Sequence, residues 1–93
     1  MRKYEMLYIL STKLSDEDRD AVISKFESVV ASNGGKVEAV DKWGVKKLAY
    51  PINYETDGYY VLMTFESDVN LIAELKRVAG ITDGILRRLI TRV

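Results

Sequence analysis

The stretch KVEAVDKWGVKKLAYPINYETDGYYVLMTFE, residues 36–66, decides the fold, because two apolar-patterned segments joined by turn residues lie between regions of helical periodicity. From Lys36 to Ala49 the apolar positions Val37, Ala39 or Val40, Trp43, Val45 and Leu48 alternate, with Gly44 interrupting them. That pattern predicts a long strand with a bulge or bend. Tyr50-Pro51 should end its regular pairing, since proline donates no ladder hydrogen bond and pushes its predecessor extended. Asn53-Tyr54-Glu55-Thr56-Asp57-Gly58 reads as a loop whose Asp57-Gly58 pair favours a turn, so Tyr59 to Glu66 should return antiparallel as the second arm of a hairpin.

Working outward, Arg2 to Leu10 is rich in aromatic and branched residues and reads as a strand, with Tyr4, Met6, Tyr8 and Leu10 on one face and Glu5, Leu7 and Ile9 on the other. Ser15-Asp16-Glu17-Asp18 opens a helix: the serine hydroxyl can accept from free amides, and three acids sit in the positive first turn. Val22, Phe26, Val29 and Val30, joined by Ala21 or Ile23, form its apolar stripe, and Asn33-Gly34-Gly35 supplies the stop, for a span of about Asp16 to Asn33. After the hairpin, Ser67-Asp68 starts a second helix carrying Ile72, Leu75 and Val78 or Ala79 inward, with Gly80 expected to close it. A turn around Asp83-Gly84 leads to a last strand, Ile85 to Arg92, either of whose faces can meet the core. The order is β-α-β-β-α-β. This is the α+β, ferredoxin-like two-layer sandwich, in which right-handed crossovers put two helices on one face of a four-stranded antiparallel sheet.

A chain of 93 residues supports one such core, so residues 1–93 are expected to form a single domain. The composition, 47% hydrophobic and 30% charged with one proline, is that of an ordered globular protein. No apolar run reaches the roughly 20 residues of a membrane span, and the N-terminus does not read as a signal peptide. With no histidine and no cysteine, the commonest general base, zinc ligands and thiol nucleophile are missing, and a reducing cytoplasm fits. No cofactor, metal, membrane or small-molecule substrate is expected. The 14 basic and 14 acidic residues cancel, so any attraction to nucleic acid must come from local patches or from a second protein.

The sheet face away from the helices should be polar unless something covers it. Leu7 and Ile9 on the first strand and Tyr60 and Leu62 on the third alternate with the core set and are expected to point outward as a protein-binding patch, although scattered surface hydrophobes are the ordinary alternative. Basic residues gather at Arg2-Lys3, at Lys42, Lys46 and Lys47, and at Arg87, Arg88 and Arg92. Phosphate contacts need such local groups, yet charged strand edges also serve simply to keep sheets apart. An RNP1-like element is absent, since Gly58-Tyr59-Tyr60-Val61-Leu62-Met63-Thr64-Phe65 lacks the leading basic residue and the second glycine. Asp16, Glu17, Asp18 and Asp20 fit helix capping better than metal ligation, and Gly34-Gly35 fits a helix stop better than a phosphate cradle.

Taken together, Met1-Arg2-Lys3-Tyr4-Glu5, the segment Asp41-Lys42-Trp43-Gly44-Val45-Lys46-Lys47-Leu48-Ala49-Tyr50-Pro51-Ile52, and Gly58-Tyr59-Tyr60-Val61-Leu62-Met63 resemble the bacterial small-subunit ribosomal protein six family, from Met1 to Arg92 without an evident gap. The resemblance implies a structural protein, not an enzyme. It implies a cytoplasmic place in the small ribosomal subunit and joint binding, with ribosomal protein eighteen, of the central domain of small-subunit rRNA. Carried over by position, it makes Arg2, Lys3, Lys46, Lys47, Arg87, Arg88 and Arg92 candidates for phosphate contacts, with Trp43 and Tyr50 shaping the contact surface. Many relatives extend past the last strand with a polar or acidic tail, and contacts made by such a tail are not carried over to this chain. The alternative function is a sensing or interaction module that self-dimerises through its bare sheet face. An acylphosphatase-type enzyme shares the topology, but Ser11-Thr12-Lys13-Leu14-Ser15 offers no basic phosphate loop.

Overall fold

The chain folds, in a computed structural model that describes residues 2–52 and 54–93, into β1 (Arg2–Ser11), α1 (Asp16–Ser32), β2 (Lys36–Ile52), β3 (Glu55–Ser67), α2 (Val69–Ile81) and β4 (Ile85–Arg92). The strands lie in the order β2-β3-β1-β4, and each pairs antiparallel with its neighbour. Helix α1 begins where the sequence places it because the Ser15 hydroxyl accepts the amide of Asp18 at 3.1 Å. It ends at Asn33, whose side-chain amide donates to the carbonyl of Val29.

One alternating set of strand residues meets both helices. Tyr4, Met6, Tyr8 and Leu10 of β1 and Val61, Met63 and Phe65 of β3 pack on Val22, Ile23, Phe26 and Val30 of α1 and Leu71, Leu75, Val78 and Ala79 of α2. Phe26 meets Tyr8 edge to face with centroids 5.0 Å apart, and Tyr4 stacks on Phe65. The Tyr8 hydroxyl is buried without a hydrogen-bond partner among the described residues. Burial, with the Glu27 carboxylate adding to it, pushes its pKa up from the ordinary 10.0. The face of β4 is settled by its register on β1: Ile90 lies opposite Met6 and Arg88 opposite Tyr8 on the helix side, Leu89 opposite Leu7 and Arg87 opposite Ile9 on the bare side. A register shift between Ile9 and Leu10 then turns Ile85 onto the core.

The regular pairing of β2 does give way around Tyr50-Pro51, with a register shift between Lys47 and Ile52, although the strand itself runs on to Ile52 opposite Glu55. β2 is an edge strand, and proline is tolerated where no ladder amide is needed. Two expectations need correction. Asp57-Gly58 is not the hairpin turn: both residues lie in β3, opposite Lys47 and Lys46, and the chain reverses before Glu55 with Tyr54 at φ 65°. Gly58 answers a different need, because a β-carbon there would stand 2.3 Å from Cγ2 of Ile9 and 3.2 Å from Cδ2 of Leu48. Asn53, part of the expected loop, lies outside the described residues, as does Met1. Gly80 does not close α2, which continues to Ile81; the Thr82 hydroxyl takes the carbonyl of Val78 at 2.6 Å and satisfies that end.

The hairpin tip is tied to the sheet. The Ser11 hydroxyl donates to the Glu55 carboxylate at 2.8 Å, and the Thr12 amide donates to the same group at 3.2 Å. The long β2-β3 ribbon is thereby held against the end of β1.

Candidate functional site

The sheet face that the helices leave bare carries two rows of side chains. One row runs Leu89, Leu7, Leu62 and Asp41 across β4, β1, β3 and β2; the other runs Arg87, Ile9, Tyr60 and Gly44. A register shift between Lys42 and Gly44, with Gly44 at φ +86°, makes room for Trp43 on this same side. The indole lies nearly parallel to the Tyr60 ring, with centroids 6.4 Å apart and planes 9° apart, and its N–H donates to the Asp41 carboxylate at 3.1 Å. The Lys46 ammonium stands 4.9 Å from the centre of the Trp43 ring. At the far side the Arg87 guanidinium packs against Tyr50 and donates to its hydroxyl, so the hairpin arches over this end of the face.

Of the six residues expected on the partner surface, Leu7, Tyr60 and Leu62 are half-buried and Trp43 and Tyr50 exposed. Ile9 does lie on the bare side, but its expected accessibility is corrected: only 7% exposed, it is packed beside Leu48 over Gly58. The hairpin carries Leu48 back onto the sheet, and so part of the bare face is sealed by the chain itself. Leu89, 56% exposed beside Leu7, belongs to the patch and escaped sequence reasoning because β4 could present either face.

The eight basic candidates do not form one surface. Lys46 and Arg87 border the aromatic patch. Lys3 lies on the same side but faces Glu38 at 3.6 Å and Glu66 at 4.0 Å. Lys42 points to the helix side and pairs with Asp20 at 3.6 Å; such exposed pairs are weak and exchangeable. Arg2, opposite Ser67, and Lys47, opposite Asp57, share the side of the core-facing residues and lie at opposite ends of it. Arg88 and Arg92 line the helix side of β4, where Arg88 and Lys76 border one hollow. The acids of α1 serve its first turn, with Asp16 taking Arg19 at 2.8 Å.

A four-stranded antiparallel sheet with both helices on one side, and an aromatic-apolar patch between cations on the other, defines a ferredoxin-like domain. The family model described as Ribosomal protein S6 matches residues 3–92. Small ribosomal subunit protein bS6 of Thermoanaerobacter pseudethanolicus is 51% identical over 92 residues, covering 99% of this chain and 97% of that protein. The protein of the same description from Clostridium novyi is 51% identical over 87 residues, covering 94% and 92%. The crystal structure of 30S ribosomal protein S6 from Thermotoga maritima superposes with a TM-score of 0.94 at 26% identity, over 99% of this chain and 87% of that one. The C-terminal domain of the MgtC protein from Mycobacterium tuberculosis, at TM-score 0.67 and 8% identity, shares the fold alone. The chain belongs to the ribosomal protein S6 family. It is a structural protein of the small subunit of the cytoplasmic ribosome, not an enzyme.

Proposed function

We propose that this chain binds the central domain of small-subunit rRNA jointly with ribosomal protein eighteen, offering the bare sheet face to the protein and basic margins to the RNA. The observation that carries this reading is the exposed Trp43–Tyr60 stack, continuous with Leu62, Leu7 and Leu89, on a domain of zero net charge. Large apolar patches ringed by polar groups suit a protein partner, and aromatic residues anchor such interfaces. A neutral chain gains little from counterion release alone, so much of the attraction to phosphate falls to the partner, with Lys46 and Arg87 at the seam. Binding is then cooperative.

The test is a titration of a central-domain rRNA fragment with this chain, in the presence and absence of ribosomal protein eighteen. The partner is expected to raise the chain's affinity at least about tenfold, a coupling near 1.4 kcal/mol. Equally tight and specific RNA binding with and without it refutes the proposal.

A further inference from the structure

We infer that the outer edge of β4 is a docking edge, taking an extended acidic and apolar segment of another protein as a fifth strand of the sheet. β4 closes the sheet on one side, so among the described residues its outer backbone amides and carbonyls find no strand partner. The opposite edge, β2, is guarded: three register shifts break its pairing, Pro51 removes a donor, and Lys36, Lys42, Lys46 and Lys47 stud it. β4 has only charge and one register shift at its start. Its eight residues ILRRLITR hold no proline, glycine or acid.

Two hollows lie beside β4, one towards α2 on the helix side and one over its seam with β1 on the bare side. The helix-side hollow, about 340 Å³, is lined by Lys76, Arg88, Leu89 and Ile90. The bare-side hollow, about 210 Å³, is lined by Leu7, Ile9, Arg87, Arg88 and Leu89. An added strand sends successive side chains to opposite sides of the sheet, where Arg88, Ile90 and Arg92 face one way and Leu89 the other.

Charge selects the occupant. Among the described residues Arg88, Arg92 and Lys76 make no ion pair, whereas Arg87 is occupied by Tyr50. On the helix side an incoming strand is matched by acids beside Arg88 and Arg92, with an apolar residue between them beside Ile90. On the bare side it is matched by an apolar residue beside Leu89. A second copy of this chain is a poor occupant, because β4 pairing with itself sets arginines among arginines. The inference goes beyond the rRNA reading, since neither RNA nor ribosomal protein eighteen takes part.

The probe is a capped eight-residue peptide with glutamates facing Arg88 and Arg92 and valines facing Leu89 and Ile90, titrated into the full chain and followed by backbone amide chemical shifts. Saturable shifts are expected on residues 85–92, weakening with salt, and Arg88→Glu with Arg92→Glu should reduce affinity at least about tenfold. Two N-methylated peptides, blocked on alternate amides, separate strand addition from simple charge attraction: one should lose binding and the other keep it. Absence of saturation at millimolar peptide, shifts centred on residues 36–52, or equal binding of both N-methylated peptides overturns the inference. Titration of the rRNA fragment with the unaltered chain, with and without ribosomal protein eighteen and with no peptide present, tests the earlier reading, so the two fail separately.

Discussion

Trp43 lies parallel to Tyr60 across the β2-β3 ladder, 9° between ring planes and 6.4 Å between centroids, on the sheet face opposite the helices. The pair is held by a backbone irregularity and not by burial, since the indole keeps 41% of its surface exposed. Trp43→Ala should therefore cost less than about 1 kcal/mol in folding stability, measured by urea unfolding. If the pair anchors the protein partner, the same change should weaken association at least about tenfold. As the single tryptophan of the chain, Trp43 also reports directly: its emission should shift to the blue when the partner covers it. An unshifted spectrum at saturating partner removes Trp43 from the interface.

Gly58, Ile9 and Leu48 form a place where hairpin and bare face are in tight contact. Gly58→Ala forces a β-carbon to within 2.3 Å of Cγ2 of Ile9, so a loss of about 1–3 kcal/mol is expected from overpacking. Ile9→Ala removes the opposing methyl and on its own leaves a hole. In a double-mutant cycle by urea unfolding the two changes should compensate, the double variant being more stable than the sum of single losses predicts by about 0.5 kcal/mol or more. Strict additivity shows that the close approach is not what requires glycine.

This site also shows where sequence reasoning stops. The Asp57-Gly58 pair carries the signature of a turn, but the glycine serves a tertiary approach to Ile9, a residue 49 positions earlier, that no local pattern reveals. The loss of regular pairing at Tyr50-Pro51 was legible, whereas the run of β2 on to Ile52 depends on an edge position set by a strand order absent from the local sequence. By contrast, the start of α1 was legible because Ser15 and the acids after it act within one turn. The core of β1 was legible because Tyr4, Met6, Tyr8 and Leu10 follow a strict period of two. The bare face was half legible: Leu7, Tyr60 and Leu62 follow from alternation, whereas the Trp43–Tyr60 stack needs the bulge at Gly44 and Leu89 needs the register of β4 on β1.

Glu55 fastens the hairpin tip by accepting from the Ser11 hydroxyl and the Thr12 amide. Ser11 is only 8% exposed, so losing its acceptor leaves a largely desolvated hydroxyl unsatisfied. Glu55→Ala should cost about 1–2 kcal/mol in unfolding free energy. Hydrogen exchange gives the sharper readout. Amides of residues 47–58 should exchange faster in the variant while those of 61–65 keep their protection, because the strap holds the tip and not the core. Unchanged exchange at the tip shows that the ladder alone holds it.

The Tyr8 hydroxyl is buried beside Phe26 with no hydrogen-bond partner among the described residues, a group that costs stability without returning any. Tyr8→Phe keeps the ring and its edge-to-face contact, removes the unsatisfied oxygen, and at neutral pH should leave stability unchanged or raise it by about 1 kcal/mol. The alkaline limb gives a second test. Desolvation first, and the Glu27 carboxylate second, hold the folded-state pKa of Tyr8 above the 10.0 of an exposed tyrosine. The unfolded chain therefore releases this proton at lower pH than the folded one. Below about pH 10 both states keep the proton and pH has no effect through this group; above it the unfolded state gains, and stability should fall by up to about 1.4 kcal/mol per pH unit. The decisive quantity is the difference between the two proteins. Urea unfolding of the wild type and of Tyr8→Phe between pH 8 and about 11 should diverge above pH 10, with the phenylalanine variant falling more gently. Parallel curves throughout that range place the Tyr8 hydroxyl in contact with water or with a partner group.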